Sequence, residues 1–251
     1  MTDVIAAQPP TRLAVRDAAA TVARTFPVHR IYCVGRNFVE HAREMGAAPA
    51  SGADRGQPVF FCKPADALVR NGLVPYPRGT RELHHEVELV VAIGRDAPAG
   101  VLPAAEAESL VFGYGVGLDL TRRDLQAAAK ACGMPWDTSK AFDHSAPVSE
   151  LVPATEIGEL GNRTLTLQVN GRIRQHAELG DMVWSVPEIL HELSKLYALR
   201  AGDLVFMGTP AGVGPLLPGD RYVAQLDGVV GMSGKVGARE PACETAGSVP
   251  G

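Results

Sequence analysis

Short runs of hydrophobic residues, separated by Gly, Pro and polar residues, recur along most of the chain. Short apolar or alternating runs bounded by turn-forming residues are typical of β-strands. Such runs occur in "HRIYCVGRNF", "PVFFCKP", "GLVPYP", "EVELVVAIG" and "LVFGYGVGLDL". Because turns and not helical segments connect these runs, the pattern predicts a β-rich chain without repeated strand–helix units.

A β-hairpin is predicted in "TLTLQVNGRIRQ". Two alternating runs flank the dipeptide Asn170-Gly171, and Asn-Gly favours the tight two-residue turn of a hairpin. The later segment "GDLVFMGTPAGVGPLLPGDRYVAQLDGVVGMSGKV" has the same pattern of short apolar runs between Gly and Pro. It predicts further strands and turns.

A short helix is predicted in "RNFVEHAREMG", directly after a strand that ends near Gly35. Asn37 is positioned to cap the helix, Glu40 follows three residues later as in a capping box, and Gly46 marks the end. On a helix, residues three apart are neighbours on one face. The helix therefore brings His41 and Glu44 together.

Two longer helices are predicted further along the chain. In "TRRDLQAAAKACG", Thr121 is the predicted N-cap, and Arg123 and Gln126 share one face. The apolar stripe of this helix comprises Leu125, Ala128, Ala129 and Cys132. In "SVPEILHELSKLYAL", Ser185 and Glu188 form a capping box. The residues of this last helix that are predicted to face the core are Ile189, Leu190, Leu193, Leu196 and Tyr197.

The chain divides into three parts. Residues 1–29 form a leading segment that packs on the core, residues 30–236 form the main domain, and residues 237–251 have the composition of a disordered tail. Residues 46–57, "GAAPASGADRGQ", are small and polar and lack periodicity. We expect a mobile surface loop there, and we consider it a candidate lid.

Composition narrows the function classes. The 251 residues carry a formal net charge of -4, so they offer no basic surface for nucleic acid. No run approaches the roughly 18 apolar residues of a membrane span. The four cysteines are scattered and form no CxxC pair, which favours reduced thiols. We therefore expect a cytoplasmic protein with no membrane or nucleic-acid partner.

Two carboxylates occupy an unusual place in "ELHHEVELVVAIGRD". Read as one strand, the period of two places Glu86 and Glu88 on the same face. A solvated edge strand would explain this spacing. However, Val90, Ala92 and Gly94 continue that face as an apolar surface, and buried carboxylates need a compensating cation.

A cation site would need a third ligand. Residues two apart on a strand are separated by roughly 6.6 Å, so both glutamates can reach one hard cation such as Mg²⁺ or Mn²⁺. Asp119 ends a Gly-rich strand just before a predicted helix, a place where functional residues are frequent. An Asp that only caps the turn is an equally good interpretation of that position.

Six segments of the chain, in the same order, resemble the fumarylacetoacetate hydrolase family. They are "GRNFVEHAREMG", "FFCKPADALV", "LHHEVELVVAIG", "GLDLTRRDLQ", "PWDTSKAFDHSAPV" and "GDLVFMGTPAGVG". Within the family, the motifs are most similar to those of fumarylpyruvate hydrolases and acylpyruvases. The resemblance implies a β-rich α+β fold, with a mixed β-roll or barrel-like core, a few peripheral helices and a homodimeric assembly.

The resemblance also implies roles for individual residues. The metal ligands for Mg²⁺ or Mn²⁺ would be Glu86, Glu88 and Asp119. The catalytic residues would be His41 and Glu44, as a water-activating dyad, and Lys140 and Gln126, which hold the substrate and the developing oxyanion. The substrate-binding positions would be Arg36, Lys63, Arg123, Gly208 and Thr209. Without the resemblance, His41 and Glu44 would be an incidental surface pair and Lys140 an ordinary surface lysine.

The expected reaction is hydrolysis of an acylpyruvate, with fumarylpyruvate giving fumarate and pyruvate in gentisate-type aromatic degradation. The alternatives are an oxaloacetate decarboxylase, a hydratase or isomerase of keto acids, and a non-catalytic metal-dependent binding module. A fumaryl group ends in a carboxylate that needs a cation. Arg36, Arg43 and Lys63 are the candidates for that cation.

Overall fold

The computed structural model describes residues 4–6, 9–16, 18, 22–44 and 55–239, most of them in strands and turns. The strands are β1 (Arg12–Val15), β2 (Arg24–Pro27), β3 (Ile31–Gly35), β4 (Val59–Lys63), β5 (Leu68–Val69), β6 (Leu73–Tyr76), β7 (Leu83–His85), β8 (Val87–Ile93), β9 (Val111–Leu118), β10 (Thr121–Arg122), β11 (Ala146–Pro147), β12 (Val152–Pro153), β13 (Thr164–Val169), β14 (Arg172–Glu178), β15 (Leu204–Phe206), β16 (Gly214–Pro215), β17 (Arg221–Leu226) and β18 (Val230–Arg239). The α-helices are α1 (Val39–Glu44), α2 (Ala104–Ala107), α3 (Arg123–Ala131), α4 (Asp137–Lys140), α5 (Ala154–Ile157) and α6 (Val186–Ser194).

Two large mixed sheets form the framework. One has the strand order β12-β9-β8-β15-β3-β4 and the other β14-β13-β17-β18-β6. Each contains one parallel pair, β15 with β3 and β18 with β6, among antiparallel neighbours. The predicted β-rich α+β fold with few helices is confirmed. Within the described residues, the strand order of each large sheet runs from edge to edge and does not close into a barrel.

Strand β8 lies inside the six-stranded sheet and is buried along its whole length. Val87 and Leu89 belong to the larger hydrophobic cluster, which also contains residues of the five-stranded sheet. Val90 and Ala92 belong to a second cluster on the opposite face. Glu88 shares the face of Val90 and Ala92, as the period of two predicts. Its carboxylate is therefore held within a buried surface.

The leading segment packs against the second cluster. Strands β1 and β2 pair antiparallel, and Leu13 and Phe26 are buried in the same cluster as Ile31 of β3. At the other end, β18 continues to Arg239, so residues 237–239 belong to the sheet and not to a tail. Residues 240–251 lie outside the described residues.

Helix α1 forms where the sequence predicts it, but Asn37 does not cap it. The Asn37 amide donates to the backbone oxygens of Trp184 and Met207, and its Oδ1 accepts from the Trp184 N–H at 2.8 Å. Because these long-range hydrogen bonds occupy both the nitrogen and the oxygen of the side chain, Asn37 does not cap α1. Gly46 and the greater part of the predicted loop at 46–57 lie outside the described residues.

Helix α3 differs from its prediction in two respects. It begins at Arg123, because Thr121 lies in β10 and its hydroxyl donates to the backbone oxygen of Asp119 at 3.1 Å. The only buried residue of the helix is Gln126. The helix turns its polar face inward, so the predicted apolar stripe is partly or fully exposed. This stripe consists of Leu125, Ala128, Ala129 and Cys132.

Two other predicted elements have the expected form. Asn170 and Gly171 both have positive φ, 52° and 74°, at the turn between β13 and β14, so the hairpin is confirmed. Helix α6 has the predicted capping box of Ser185 and Glu188. It ends at Ser194, and Leu196 is 64% exposed because it lies beyond the helix. Tyr197 is also exposed, so neither residue has the predicted core position. Among the described helices, none is long and apolar enough to cross a membrane.

Candidate metal and substrate site

The predicted strand at residues 82–96 is two strands that separate at Glu86. Strand β7 pairs with β10 and β16 in a small three-stranded sheet, whereas β8 lies in the six-stranded sheet. The change of sheet requires a bend between them, and Glu86 occupies it. The backbone oxygen of Glu86 accepts from the Asp119 N–H at 2.8 Å, which joins the bend to the end of β9.

Three buried carboxylates meet at this junction. Glu86, Glu88 and Asp119 each offer an oxygen atom within 4.8 Å of the other two. Glu88 comes from β8, and Asp119 follows its neighbour β9. The side chains are 5%, 1% and 0% exposed, respectively. The arrangement predicted from the strand period and the strand end is thus present, even though the strand is broken.

Three basic side chains surround these carboxylates. Lys140 Nζ lies 2.7 Å from Glu86 Oε2, 2.6 Å from Asp119 Oδ2 and 2.7 Å from Thr121 Oγ1. Lys63 Nζ lies 2.9 Å from Asp119 Oδ1. Arg123 Nη2 lies 2.5 Å from Glu86 Oε1. The predicted site residues Lys140, Lys63 and Arg123 therefore all contact the carboxylates directly.

The basic side chains do not offset the negative charge of the three carboxylates equally. Burial alone would raise the pKa of Glu86, but Lys140 and Arg123 outweigh it and hold the pKa low. Burial raises the pKa of Glu88 well above its ordinary value, and the charges of Asp119 and Glu86 raise it further. The hydrogen bond to Glu88 is donated by the backbone of Gly208 at 2.7 Å. Glu88 is thus the least compensated of the three.

These residues fit a hard divalent cation. Asp119 Oδ1 is buried and accepts no hydrogen bond from the described residues, although Lys63 is close to it. The lone pairs of Asp119 Oδ1 are therefore available to coordinate a cation. The lone pairs of the Glu88 carboxylate that do not face Gly208 are available in the same way. A donor set made only of carboxylate oxygens suits Mg²⁺ or Mn²⁺.

Helix α1 places a histidine beside this site. His41 Nδ1 lies 3.2 Å from Glu44 Oε2, and the Glu44 carboxylate accepts from the Gly212 N–H, also at 3.2 Å. Because Glu44 accepts the Nδ1 proton, Nε2 is left as the basic nitrogen. Burial lowers the pKa of His41, while Glu86 and Glu44 oppose the shift. A lowered pKa and a free Nε2 make His41 suited to accept a proton.

One cavity connects most of the predicted site residues. Its lining contains the predicted residues Arg36, His41, Glu86, Glu88, Asp119, Arg123, Gln126, Lys140 and Thr209. Three other predicted residues do not line the cavity but contact residues that do. Glu44 contacts His41, Lys63 contacts Asp119, and Gly208 contacts Glu88. Arg43, considered for the distal carboxylate, lies outside the lining and forms an exposed ion pair with Glu40.

The sequence interpretation missed two contributors. Lys130 lines the cavity. It lies four residues after Gln126 and seven after Arg123, a helical spacing that places all three on one face, so the sequence carried that signal. The second is Gln175 of β14, whose Nε2 donates to Thr209 Oγ1 at 2.7 Å and whose Oε1 accepts from the Val87 N–H at 3.0 Å. No local pattern indicates this long-range contact.

Comparison with known proteins agrees with the fold. Residues 30–237 match the family described as "Fumarylacetoacetate (FAA) hydrolase C-terminal". The chain is 43% identical to oxaloacetate tautomerase YcgM of Escherichia coli over 81% of this chain and 90% of that protein. It is 42% identical to the mitochondrial oxaloacetate tautomerase FAHD1 of Bos taurus, over 82% of this chain and 90% of that protein.

Among solved structures, the chain is similar to fumarylpyruvate hydrolase from Pseudomonas aeruginosa, crystallised in complex with Mn²⁺ and pyruvate. The TM-score is 0.87 and the identity 43%, over 94% of this chain and 99% of that one. The family match at residues 30–237 includes every residue that lines the cavity. The chain therefore belongs to the fumarylacetoacetate hydrolase family.

Proposed function

We propose that the protein is a divalent-cation-dependent acylpyruvate hydrolase, with fumarylpyruvate as its preferred substrate. Water and fumarylpyruvate would give fumarate and pyruvate. The observation that supports this most strongly is that His41, hydrogen-bonded to Glu44, lines the same cavity as the three carboxylates. A metal site alone would serve several reactions, whereas a histidine held as a base beside it suits attack by water.

In the proposed reaction, Glu86, Glu88 and Asp119 hold Mg²⁺ or Mn²⁺. When bound, the ion supplies Lewis-acid stabilisation of negative charge at the pyruvate end of the substrate. Arg123 forms an ion pair with Glu86 and thereby holds that carboxylate in position at this end of the cavity. The carboxylates thus define where the pyruvate end lies.

His41 Nε2 takes a proton from water, and the resulting hydroxide attacks the carbonyl carbon of the acyl group. The bond between that carbon and the methylene carbon then breaks, and its electron pair passes to the methylene, giving the enolate of pyruvate. The proton that His41 took from water passes to the methylene, which completes pyruvate and returns His41 to its neutral form, and the acyl group leaves as a carboxylic acid. Glu44 keeps the His41 ring oriented throughout.

Gln126 is the proposed donor to the oxyanion. Its Oε1 accepts from Arg123 Nη1 at 2.5 Å, and a guanidinium only donates, so the amide orientation is fixed with Nε2 free of described partners. Gln126 lines the cavity, which makes Nε2 available to a substrate. Lys140 directs its contacts to Glu86, Asp119 and Thr121, so we assign it to charge balance at the metal site as well as to substrate binding.

A second candidate function is supported by the 42% and 43% identity to oxaloacetate tautomerases. Tautomerisation moves a proton between the methylene carbon and the keto oxygen and requires no attack by water. The decarboxylase alternative acts on the same keto acid and releases carbon dioxide. We also propose a homodimer acting in breakdown of gentisate-type aromatic compounds, on the basis of the resemblance alone, and a cytoplasmic location, on the basis of the scattered cysteines.

The experiment is an ultraviolet assay of the purified protein with fumarylpyruvate, acetylpyruvate and oxaloacetate, with Mg²⁺ or Mn²⁺ and after EDTA. Released pyruvate and fumarate are measured separately. Cation-dependent loss of fumarylpyruvate with equal amounts of both products is expected. Interconversion of the oxaloacetate tautomers without pyruvate would favour the second candidate, and pyruvate from oxaloacetate alone would favour decarboxylation.

The Glu44→Gln variant tests the role of the dyad. Gln can still accept from the Gly212 N–H, so the helix keeps that contact, but the imidazole loses its carboxylate. We expect hydrolysis to fall by ~10² to 10⁴-fold with cation binding retained. Glu40→Gln is the matched control, because Glu40 lies on the same helix and, among the described residues, forms an ion pair with exposed Arg43 alone. Full activity in Glu44→Gln would remove the dyad from the mechanism.

A further inference from the structure

Two basic side chains of the cavity have no carboxylate partner among the described residues. Lys130 lies in the last turn of α3, and Arg36 follows β3. Both line the cavity and both remain exposed, so they lie at its mouth. No ion pair or hydrogen bond connects either side chain to an acidic residue of the described chain. They are thus available to an anion from solution.

The other basic residues near the site are already engaged. Lys140, Lys63 and Arg123 each lie within 3 Å of an oxygen of Glu86 or Asp119. Their charge is used to offset buried carboxylates. A second carboxylate entering the cavity must therefore find its cation elsewhere.

Lys130 is held in position and close to another cation. Its Nζ lies 5.0 Å from the centroid of the Trp136 ring, a favourable cation–π distance, and Trp136 also lines the cavity. Burial lowers the pKa of Lys130, and the charges of Arg123 and Arg36 lower it further, whereas the charge of Glu86 opposes the shift. Arg36 lines the same cavity as Lys130, so two positive charges face one space. An anion between the two would turn this repulsion into attraction.

The Arg36 backbone supports the same interpretation. Arg36 has a φ of 61°, a left-handed conformation that side chains other than Gly, Asn and Asp rarely adopt. Such strain persists where the surrounding structure imposes it and is frequent in ligand-binding segments. The turn directs the chain from β3 towards α1, and Arg36 lines the same cavity as His41.

We propose that Lys130 and Arg36 form a carboxylate subsite at the mouth of the cavity, which selects acylpyruvates whose acyl group ends in a carboxylate. The proposal rests on the function proposed above, in which the pyruvate end lies at Glu86, Glu88 and Asp119. The far end of a dicarboxylic substrate would then point towards the mouth. A guanidinium and an ammonium are suitable donors to that carboxylate.

The test measures binding by calorimetry on the full chain with Mn²⁺, using a matched pair of probes. α-Ketopimelate has a pyruvate-like end and a distal carboxylate, whereas α-ketoheptanoate has the same chain length and no distal carboxylate. Neither has the second carbonyl that hydrolysis requires, so turnover does not interfere. We expect wild-type protein to bind the diacid ~10-fold more tightly, as one charged hydrogen bond provides.

The variants are Lys130→Met and Arg36→Met, with Arg43→Met as the control because Arg43 is exposed, paired with Glu40 and outside the cavity. Each of the first two should reduce the diacid preference from ~10-fold to about 2-fold or less, and Arg43→Met should keep it. An unchanged preference in Lys130→Met and Arg36→Met, or no preference in the wild type, would overturn the subsite.

The two proposals can fail separately. Hydrolysis of fumarylpyruvate and acetylpyruvate with equal kcat/KM would support the reaction and overturn the subsite. A diacid preference that both variants lose, in a protein that cleaves no acylpyruvate, would support the subsite and overturn the reaction.

Discussion

The backbone N–H of Gly208 donates to Oε2 of Glu88 at 2.7 Å, which connects the turn after β15 to the least compensated carboxylate of the metal site. Gly208 has a φ of 91°, and a Cβ atom there would lie 2.7 Å from Asn37 Cβ. The turn therefore approaches the segment before α1 more closely than a side chain allows. Gly208 thus donates a hydrogen bond to a metal-site carboxylate and packs against the segment that precedes the helix of His41.

Gly208→Ala should lower the free energy of unfolding by about 1–3 kcal/mol from backbone strain, with the close contact adding to that loss. It should also weaken Mn²⁺ binding, because the Gly208 N–H would move relative to Glu88. Chemical denaturation and Mn²⁺ titration measure the two effects. Gly79→Ala separates strain from contact: its φ is 71° and no atom lies within 4 Å of the added Cβ, so about 1 kcal/mol is expected. Equal losses in both variants would exclude the close contact as a cause.

Glu88→Gln should have opposite effects with and without metal. Without a divalent cation, removing one of three buried carboxylates relieves repulsion from Asp119 and Glu86, so the melting temperature should rise. With Mn²⁺ at about one hundred times Kd, wild-type protein should gain ~2.7 kcal/mol, and Glu88→Gln should gain little. Thermal unfolding with and without Mn²⁺ measures this, and exposed Glu82→Gln is the control. A variant that keeps the full Mn²⁺ shift would remove Glu88 from the ligand set.

The pH profile of kcat/KM should fall on the acid side. Burial lowers the pKa of His41 below its ordinary value of 6.5, and the base must be neutral, so activity should decline as pH falls through a value below 6.5. The Glu44 carboxylate raises this pKa, so the residual activity of Glu44→Gln should show its acid limb at lower pH. Profiles of both proteins at saturating Mn²⁺ test the assignment. An acid limb at the same pH in the two proteins would indicate a different titrating group.

Gln175→Leu should lower the free energy of unfolding more than the loss of a single hydrogen bond would. Gln175 is buried and bonds to His85, Val87, Thr209 and Pro210. Leaving several of these groups unpaired should cost on the order of 3 kcal/mol. Gln225→Leu, on the exposed face of β17, should change stability by less than about 0.5 kcal/mol. Denaturation of both variants gives the comparison, and equal midpoints would show that Gln175 is not a structural hub.

The sequence by itself determined the features that depend on local periodicity. The Asn170-Gly171 hairpin, the Ser185 capping box and the pairing of His41 with Glu44 follow from backbone preferences and helical spacing over a few residues. The β-rich class follows from the same kind of pattern. The carboxylates of the metal site were also indicated, because strand period and strand ends are local properties.

Only the tertiary structure decided which polar groups meet across the chain. It broke the strand at Glu86, directed Asn37 to Trp184 and not to the helix end, and buried Gln126 while leaving the apolar stripe of α3 partly exposed. It also left Lys130 at the cavity wall without an ion-paired carboxylate among the described residues. These outcomes depend on competition among distant hydrogen-bond and charge partners, and a linear pattern carries no information about which distant partner is nearest once the sheets have packed.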